Sequence, residues 1–177
     1  MEIILKVSYQ GGLDGLCGMY ALVNAYMLCG CEDGEDILLE ACRALAKSRW
    51  PEVLVKGTTF ADMQRMAKRC KDVMGIDNVQ LRYPFKRQAP RSNEVYWQRF
   101  HEVFKDQDVA CAIIGVEDPM MHWIVAAPEK GHIMFMDSKA GEPFFQKKQS
   151  SLVAGSRKQK PGQWLINPTE LILFTRP

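Results

Sequence analysis

The cysteine at position 17 stands where a protein chain can activate a thiol. Cys17 follows the glycine-rich segment GGLDG at positions 11–15 and opens an apolar run with helical spacing. A helix N-terminus stabilises a thiolate through unpaired backbone N–H groups and the positive end of the helix dipole. Gly15 and Gly18 would also let a substrate backbone approach closely. The pattern favours a nucleophilic cysteine over the alternative, a structural cysteine buried on an apolar helix.

A nucleophilic thiol needs a base, and the chain contains 3 histidines. The segment PEKG at positions 128–131 is typical of a four-residue hairpin loop between two apolar runs. If Ala127 pairs with His132 across that loop, counting outward pairs His122 with Asp137. Directly opposed residues have Cβ atoms roughly 5 Å apart, so the Asp137 carboxylate could accept the imidazole N–H and fix its tautomer.

The other two histidines fit the role of base less well. His132 lies about 17 Å from Asp137 along an extended strand, so it cannot readily share that carboxylate. His101 falls within a predicted helix, between Phe100 and Glu102, where we expect it to face solvent. His122 is therefore the predicted base, and Asp137 is predicted to orient it.

Acyl transfer also requires hydrogen-bond donors for the oxyanion, usually a backbone N–H and a side-chain amide. Gln10 precedes Cys17, and the glycine-rich loop between them could turn back to aim its amide at the attacked carbonyl. Asn24 would point into the protein, which indicates a structural role. Asp14 would repel an oxyanion, so we expect it to cap the loop.

Helical periodicity dominates the first hundred residues, and four helices are predicted there. They cover residues 16–28, residues 36–48, a segment that begins after a Thr59/Asp62 capping box, and residues 92–105. The second helix is expected to end before Trp50-Pro51.

Beyond residue 105 the pattern changes to short β-branched or apolar runs separated by Gly and Pro. The runs are residues 109–116, 123–127, 133–136 and 171–175. Helices followed by strands predict an α+β fold with a mainly antiparallel sheet, and a cleft where the two layers meet. The basic stretch at positions 147–160 is interpreted as a mobile surface loop.

The composition of the 177 residues is that of one globular domain, residues 1–177, with 47% hydrophobic residues. A formal net charge of +2 gives no reason to expect a nucleic-acid or membrane partner.

The first ten residues lack the features of a secretory signal, and no stretch approaches the ~20 apolar residues of a membrane span. Six cysteines without a regular framework indicate a reducing compartment. We expect the cytoplasm, or the cytosol of a host cell reached by a bacterial effector without a Sec-type signal.

The pair Cys29-Gly30-Cys31 beside several acidic residues suggests a metal site. A zinc site needs four ligands, however, and no second Cys or His pair has suitable spacing. The sequence therefore predicts no metal and no cofactor.

The motifs taken together resemble the papain-like superfamily of cysteine peptidases. The resemblance rests on Gln10, the segment DGLCG at positions 14–18, His122-Trp123 and Asp137-Ser138. The chain is most similar to the compact branch typified by the leader-peptide-cleaving domains of bacterial peptide exporters. The resemblance implies a helical layer bearing the Cys, an antiparallel sheet bearing the His and Asp, and a groove between them. Papain itself has an Asn in the third position and contains disulfides, so its substrate specificity does not carry over.

We expect a cysteine peptidase or isopeptidase that cleaves an amide bond in a protein or peptide through a thioester intermediate. Cys17 would attack, His122 would protonate the leaving amine, and a dedicated protein partner is compatible with this activity. The same triad could instead pass the acyl group to an amine, as a transglutaminase or acyltransferase does. A third alternative is a non-catalytic papain-like binding module, in which Cys17 would be unreactive.

Overall fold

The computed structural model describes residues 15–139, 141–155 and 159–176, and these residues form the expected α+β fold. The α-helices in this part of the chain are α1 (Cys17–Leu28), α2 (Gly34–Arg43), α3 (Trp50–Lys56), α4 (Phe60–Val73) and α5 (Asn93–Val103). The strands are β1 (Gln80–Arg82), β2 (Val109–Asp118), β3 (His122–Glu129), β4 (His132–Met136), β5 (Phe144–Lys148), β6 (Leu152–Ala154) and β7 (Trp164–Thr175). None of the helices in the described ranges is long and apolar enough to cross a membrane.

Two of the predicted helices begin at hydrogen-bonded caps. The Thr59 side chain accepts the Asp62 N–H, and the Asp62 carboxylate accepts the Thr59 N–H in return, so the predicted capping box forms at the start of α4. The Ser92 side chain accepts the Val95 N–H at the start of α5. Each cap satisfies backbone donors that a helix leaves unpaired, which fixes where the helix begins.

The prediction for residues 36–48 is wrong in its bounds. The helix runs from Gly34 to Arg43, and a short 3₁₀ turn, Lys47–Arg49, leads directly into α3. Pro51 was expected to follow the end of a helix, but it lies in the first turn of α3. Proline is compatible with that position because the first N–H groups of a helix have no intrahelical acceptor.

The strands form one sheet in the order β1-β7-β2-β3-β4-β5, with β6 added beside β7. All strand pairs are antiparallel except β6 and β7, so the mainly antiparallel sheet is confirmed. Side chains alternate between two buried layers. Cys111, Ile113 and Val125 pack with α1, α2 and α4, whereas Ile114 and Ile124 belong to the layer that contains α5.

The β3–β4 hairpin differs from the predicted one by two residues. Glu129 pairs with His132 and Ala127 pairs with Met134, so the loop has two residues and not four. Lys130 and Gly131 have φ angles of 40° and 83°. Positive φ at both central residues is what a type I′ turn requires, and this turn matches the twist of the two strands.

The prediction of a mobile loop at positions 147–160 is wrong for much of that stretch. Its described residues contribute to β5, a 3₁₀ turn (Gln149–Ser151) and β6, and all three residues of β6 are buried. The Lys147 Nζ lies 4.3 Å from the centre of the Trp164 ring, so a cation–π contact holds part of the basic segment against the sheet. Residues 156–158 lie outside the described ranges.

Candidate active site

Cys17 is the first residue of α1, as the sequence predicted, and only 7% of it is exposed. The N-terminus of α1 has no side-chain cap, since Leu16 occupies the capping position. The first N–H groups of a helix have no intrahelical acceptor, and the Leu16 side chain cannot accept a hydrogen bond from them. The sulfur therefore lies beside donors and a dipole that stabilise negative charge.

His122 and Asp137 form a buried hydrogen-bonded pair, and both residues are 8% exposed. The His122 Nε2 donates to the Asp137 Oδ1 over 2.7 Å. The backbone N–H of Lys139 donates to the same oxygen over 2.8 Å. These two donors fix the carboxylate, and the carboxylate in turn fixes the orientation and tautomer of the imidazole.

The bond from Nε2 to Asp137 leaves Nδ1 as the ring nitrogen available to Cys17. Burial alone would lower the pKa of His122, but hydrogen bonds to Asp137 and Cys17 outweigh it and raise the pKa to about 9. Burial would likewise raise the pKa of Asp137, but hydrogen bonds from His122 and the Lys139 N–H hold it below its ordinary value. The arrangement favours a protonated imidazole beside an ionised Asp137 carboxylate.

Cys17 and His122 line one groove of about 680 Å³, which lies where the helical layer meets the sheet. The helical side contributes Gly15, Cys17, Arg49, Glu52, Val55, Lys56, Gly57, Thr58, Thr59 and Phe60. The sheet side contributes Val116, Glu117, Met120, Met121, His122, Trp123, Lys139, Asn167 and Glu170. The predicted cleft between the layers is therefore present, and it contains the predicted nucleophile and base.

The glycines on either side of Cys17 are needed for packing within the protein. A Cβ at Gly15 would lie 2.7 Å from the Gly57 N and 2.8 Å from the Val53 O. A Cβ at Gly18 would collide with the side chains of Thr58 and Met63. We expected these positions to admit a substrate backbone, but the space beside them is filled by the protein's own segment 53–63.

Trp123 connects the residue after the base to the helical side of the groove. Its Nε1 donates to the Thr58 O over 2.9 Å, and its ring stacks on Phe60 with 6.1 Å between centroids. Trp123 both lines the groove and packs in the hydrophobic core. These contacts link Thr58 and Phe60 to the strand that begins at His122.

Three of the remaining residues considered in the sequence, Asn24, His101 and His132, do not line the groove. Gln10 and Asp14 are outside the described residues. Asn24 is fully buried within α1, as expected for a structural role. His101 bonds to the Gln149 Oε1 over 2.5 Å and His132 begins β4, so neither approaches Asp137 in the way that His122 does. In the part of the chain that the structure describes, no group of three or more His, Cys, Asp or Glu side chains could hold a metal ion.

Sequence reasoning missed the polar groups on the sheet side of the groove. Glu117 lies near the end of β2, and Asn167 and Glu170 lie within β7. One signal was present, because the polar segment NPTE at positions 167–170 interrupts an otherwise apolar strand. Such an interruption is typical of a bulge or a functional position in a strand.

A comparison with protein-family models gave no match, and a comparison with curated protein sequences gave no significant match.

Proposed function

We propose that this protein is a cysteine hydrolase that cleaves an amide bond in a protein or peptide. The observation that carries the proposal is the buried His122–Asp137 pair in the same groove as Cys17, at the N-terminus of α1. A structural histidine needs no carboxylate that keeps it protonated, and a structural cysteine needs no groove. The combination is what nucleophilic catalysis by a thiol requires.

In the proposed reaction the proton of Cys17 rests on His122, and the thiolate attacks the carbonyl carbon of the substrate. Backbone N–H groups at the start of α1 stabilise the oxyanion. The carbon–nitrogen bond breaks as His122 gives its proton to the leaving amine, which leaves a thioester on Cys17. Water then attacks the thioester, His122 takes its proton, and the carbon–sulfur bond breaks to release a carboxylic acid.

A polypeptide substrate is favoured by the apolar rims of the groove. Val55 on the helical side is 82% exposed, and Met121 on the sheet side is 85% exposed. Met120, beside it, is 49% exposed. Large apolar side chains on both rims of a groove would be covered by a chain that extends across it, whereas a small substrate would leave them in water.

The proposed fold family is the papain-like one, in the compact form that the sequence motifs resemble. Three features support it, namely a nucleophile at the first residue of a helix, a base and its carboxylate on an antiparallel sheet, and a groove between the two layers. The position expected for the oxyanion amide, Gln10, lies outside the described residues.

The proposal can be tested with a proteome-derived peptide library in ¹⁸O-labelled water, analysed by mass spectrometry. Wild-type protein is expected to generate new peptide C-termini that contain heavy oxygen, because water resolves the thioester. The Cys17→Ala variant should generate none, whereas Cys42→Ala, which changes a cysteine outside the groove, should behave as the wild type. Products that carry an added amine instead would indicate acyl transfer, and products that persist in Cys17→Ala would contradict the proposal.

A further inference from the structure

Glu170 occupies an irregular part of β7 beside the candidate nucleophile. The pairing of β7 with β2 changes register between Ile114–Leu171 and Val116–Ile166, and Glu170 lies within this irregular segment. A bulge of this kind redirects side chains from the regular alternation of a strand. Glu170 lines the groove that contains Cys17 and His122.

The absence of a side chain at Gly115 makes room for the Glu170 carboxylate. A Cβ added at Gly115 would collide with the Glu170 Oε2 and would lie 3.1 Å from the Glu170 Cβ. Gly115 pairs with Trp123 in the adjacent strand, which places the carboxylate next to the residue that follows the base. The sheet surface therefore forms a recess for Glu170 at the floor of the groove.

The carboxylate in this recess has no counter-charge in the part of the chain that the structure describes. Among the described residues, Glu170 has neither an ion pair nor a hydrogen-bond donor, although it is only partly exposed. Burial and the nearby Glu117 carboxylate raise the pKa of Glu170. Glu117 accepts one neutral hydrogen bond, from the Asn167 Nδ2 over 2.8 Å. Ionisation of a half-buried carboxyl group beside a second carboxylate is unfavourable, and a cation that approaches both would stabilise the charged form.

The basic residues of the groove do not supply that cation. Arg49 and Lys56 on the helical side both pair with Glu52, and Arg49 also bonds to Asp62 over 2.8 Å. The Lys139 Nζ lies 3.9 Å from the Met120 Sδ and forms no ion pair within the described ranges. Among the described residues, Arg49, Lys56 and Glu52 on the helical side are therefore paired, whereas no cation contacts the Glu170 and Glu117 carboxylates on the sheet side.

We infer that Glu170, with Glu117, binds the lysine or arginine side chain of a polypeptide substrate next to the bond that Cys17 attacks. This inference rests on the proposed function, since it assigns the substrate preference of the same groove. A long cationic side chain can enter the recess while its backbone follows the groove. A metal site would need at least a third ligand beside these two carboxylates. No His, Cys, Asp or Glu side chain of the described residues completes such a group, which favours an organic cation.

The preference can be measured with peptidyl acyloxymethyl ketones, in which the methylene carbon beside the ketone alkylates a thiolate as a carboxylate leaves. Matched probes carry Lys, norleucine or Glu at either of the two positions nearest the ketone, with Ala elsewhere. The rate of Cys17 modification is followed by intact mass and peptide mapping. At one of the two positions the Lys probe is expected to react about tenfold faster than norleucine, or more, as suits a partly buried charged hydrogen bond.

Substitutions on the two sides of the groove give matched controls. Glu170→Gln should remove most of the preference for Lys over norleucine, and Glu170→Lys should shift the preference to the Glu probe. Glu52→Gln, a groove glutamate that already has cationic partners, should retain the preference. In the wild type the preference should weaken as salt is raised, because added ions screen partly exposed charges.

The outcomes separate this inference from the proposed function. If Cys17 reacts with Lys and norleucine probes at equal rates in both positions, or if Glu170→Gln keeps the preference, the inference is wrong and the proposed function stands. If no probe modifies Cys17, the proposed function fails and this inference fails with it.

Discussion

The His122 Nε2 lies 2.7 Å from the Asp137 Oδ1, although the two residues are not directly opposed in the sheet. The last paired residues of β3 and β4 are Val125 and Met136. Extending this register would place Asp137 opposite Ile124, so His122 and Asp137 are diagonal neighbours on one face. Diagonal neighbours are about 7–8 Å apart, a distance that an imidazole and a carboxylate can bridge. The contact therefore depends on the two side chains as well as on the backbone.

Asp137→Asn is expected to lower the pKa of His122 from about 9 toward its ordinary value of 6.5, because the amide can orient the imidazole but cannot balance its charge. The pKa can be measured by NMR titration of the histidine ring. Ser138→Ala is the matched control, since the Ser138 hydroxyl is buried without a hydrogen-bond partner in the described part of the chain. A pKa that stays near 9 in Asp137→Asn would show that another group holds the proton on His122.

The stability that His122 contributes should depend on pH. The folded pKa of about 9 is higher than the ordinary 6.5, so this contribution is fully present below pH 6.5 and is lost as pH rises through 9. The lowered pKa of Asp137 adds a contribution that is present above its ordinary value of 3.8 and is lost as pH falls below it.

Urea unfolding of the wild type and His122→Gln at pH 5.5, 7.5 and 9.5 tests this dependence. The wild type should be more stable by about 2–3 kcal/mol at the lowest of these pH values. The difference in unfolding free energy should shrink as pH rises. A difference that is constant or grows with pH would contradict the pairing of a protonated His122 with Asp137.

Gly18→Ala is expected to lower the free energy of unfolding by about 1–3 kcal/mol, because the added Cβ would overlap Thr58 and Met63. Chemical denaturation measures this cost. Gly141→Ala is the control, since a Cβ there meets no atom within 4 Å. Equal stability of the two variants would mean that the 58–63 segment can move away from α1 without cost.

Trp123→Phe should destabilise the protein by about 1–3 kcal/mol, because it leaves the Thr58 carbonyl without its donor. Since Thr58 lines the groove, the reaction of Cys17 with a peptidyl probe should slow more than its reaction with iodoacetamide. Trp97→Phe makes the same chemical change within α5, away from the groove, and should leave the ratio of the two rates unaltered. If Trp123→Phe and Trp97→Phe gave the same ratio of the two rates, Trp123 would have no role in substrate binding.

Features set by short stretches of sequence could be predicted. The start of α1 at Cys17 and the Thr59/Asp62 capping box depend on a few neighbouring residues, and they occur where expected. The His122–Asp137 contact was also found, although the hairpin register on which it was based is wrong. A register error of two residues leaves the side chains of His122 and Asp137 on the same face of the sheet. An error of one residue would have placed them on opposite faces.

Features that depend on distant segments could not be predicted. The recess for Glu170 forms only because β7 pairs with β2 beside Gly115. The packing of Gly15 and Gly18 against residues 53–63 likewise depends on how α1 meets α3 and α4. Local patterns identify residues capable of chemistry, but the shape of the groove arises from pairings between strands and helices far apart in sequence.

The most direct test of the assignment of Cys17 is its rate of alkylation by iodoacetamide between pH 5 and 9, followed by peptide mapping. Cys17 is buried, whereas Cys31 and Cys42 are more exposed, and burial raises the pKa of both of these thiols. Accessibility alone would therefore favour Cys31 and Cys42. Below pH 7 we expect Cys17 to react fastest of all, because the start of α1 and the His122 imidazolium stabilise its thiolate, and His122→Ala should remove that advantage. Modification of Cys31 or Cys42 ahead of Cys17 at pH 6 would contradict the assignment of Cys17 as the nucleophile.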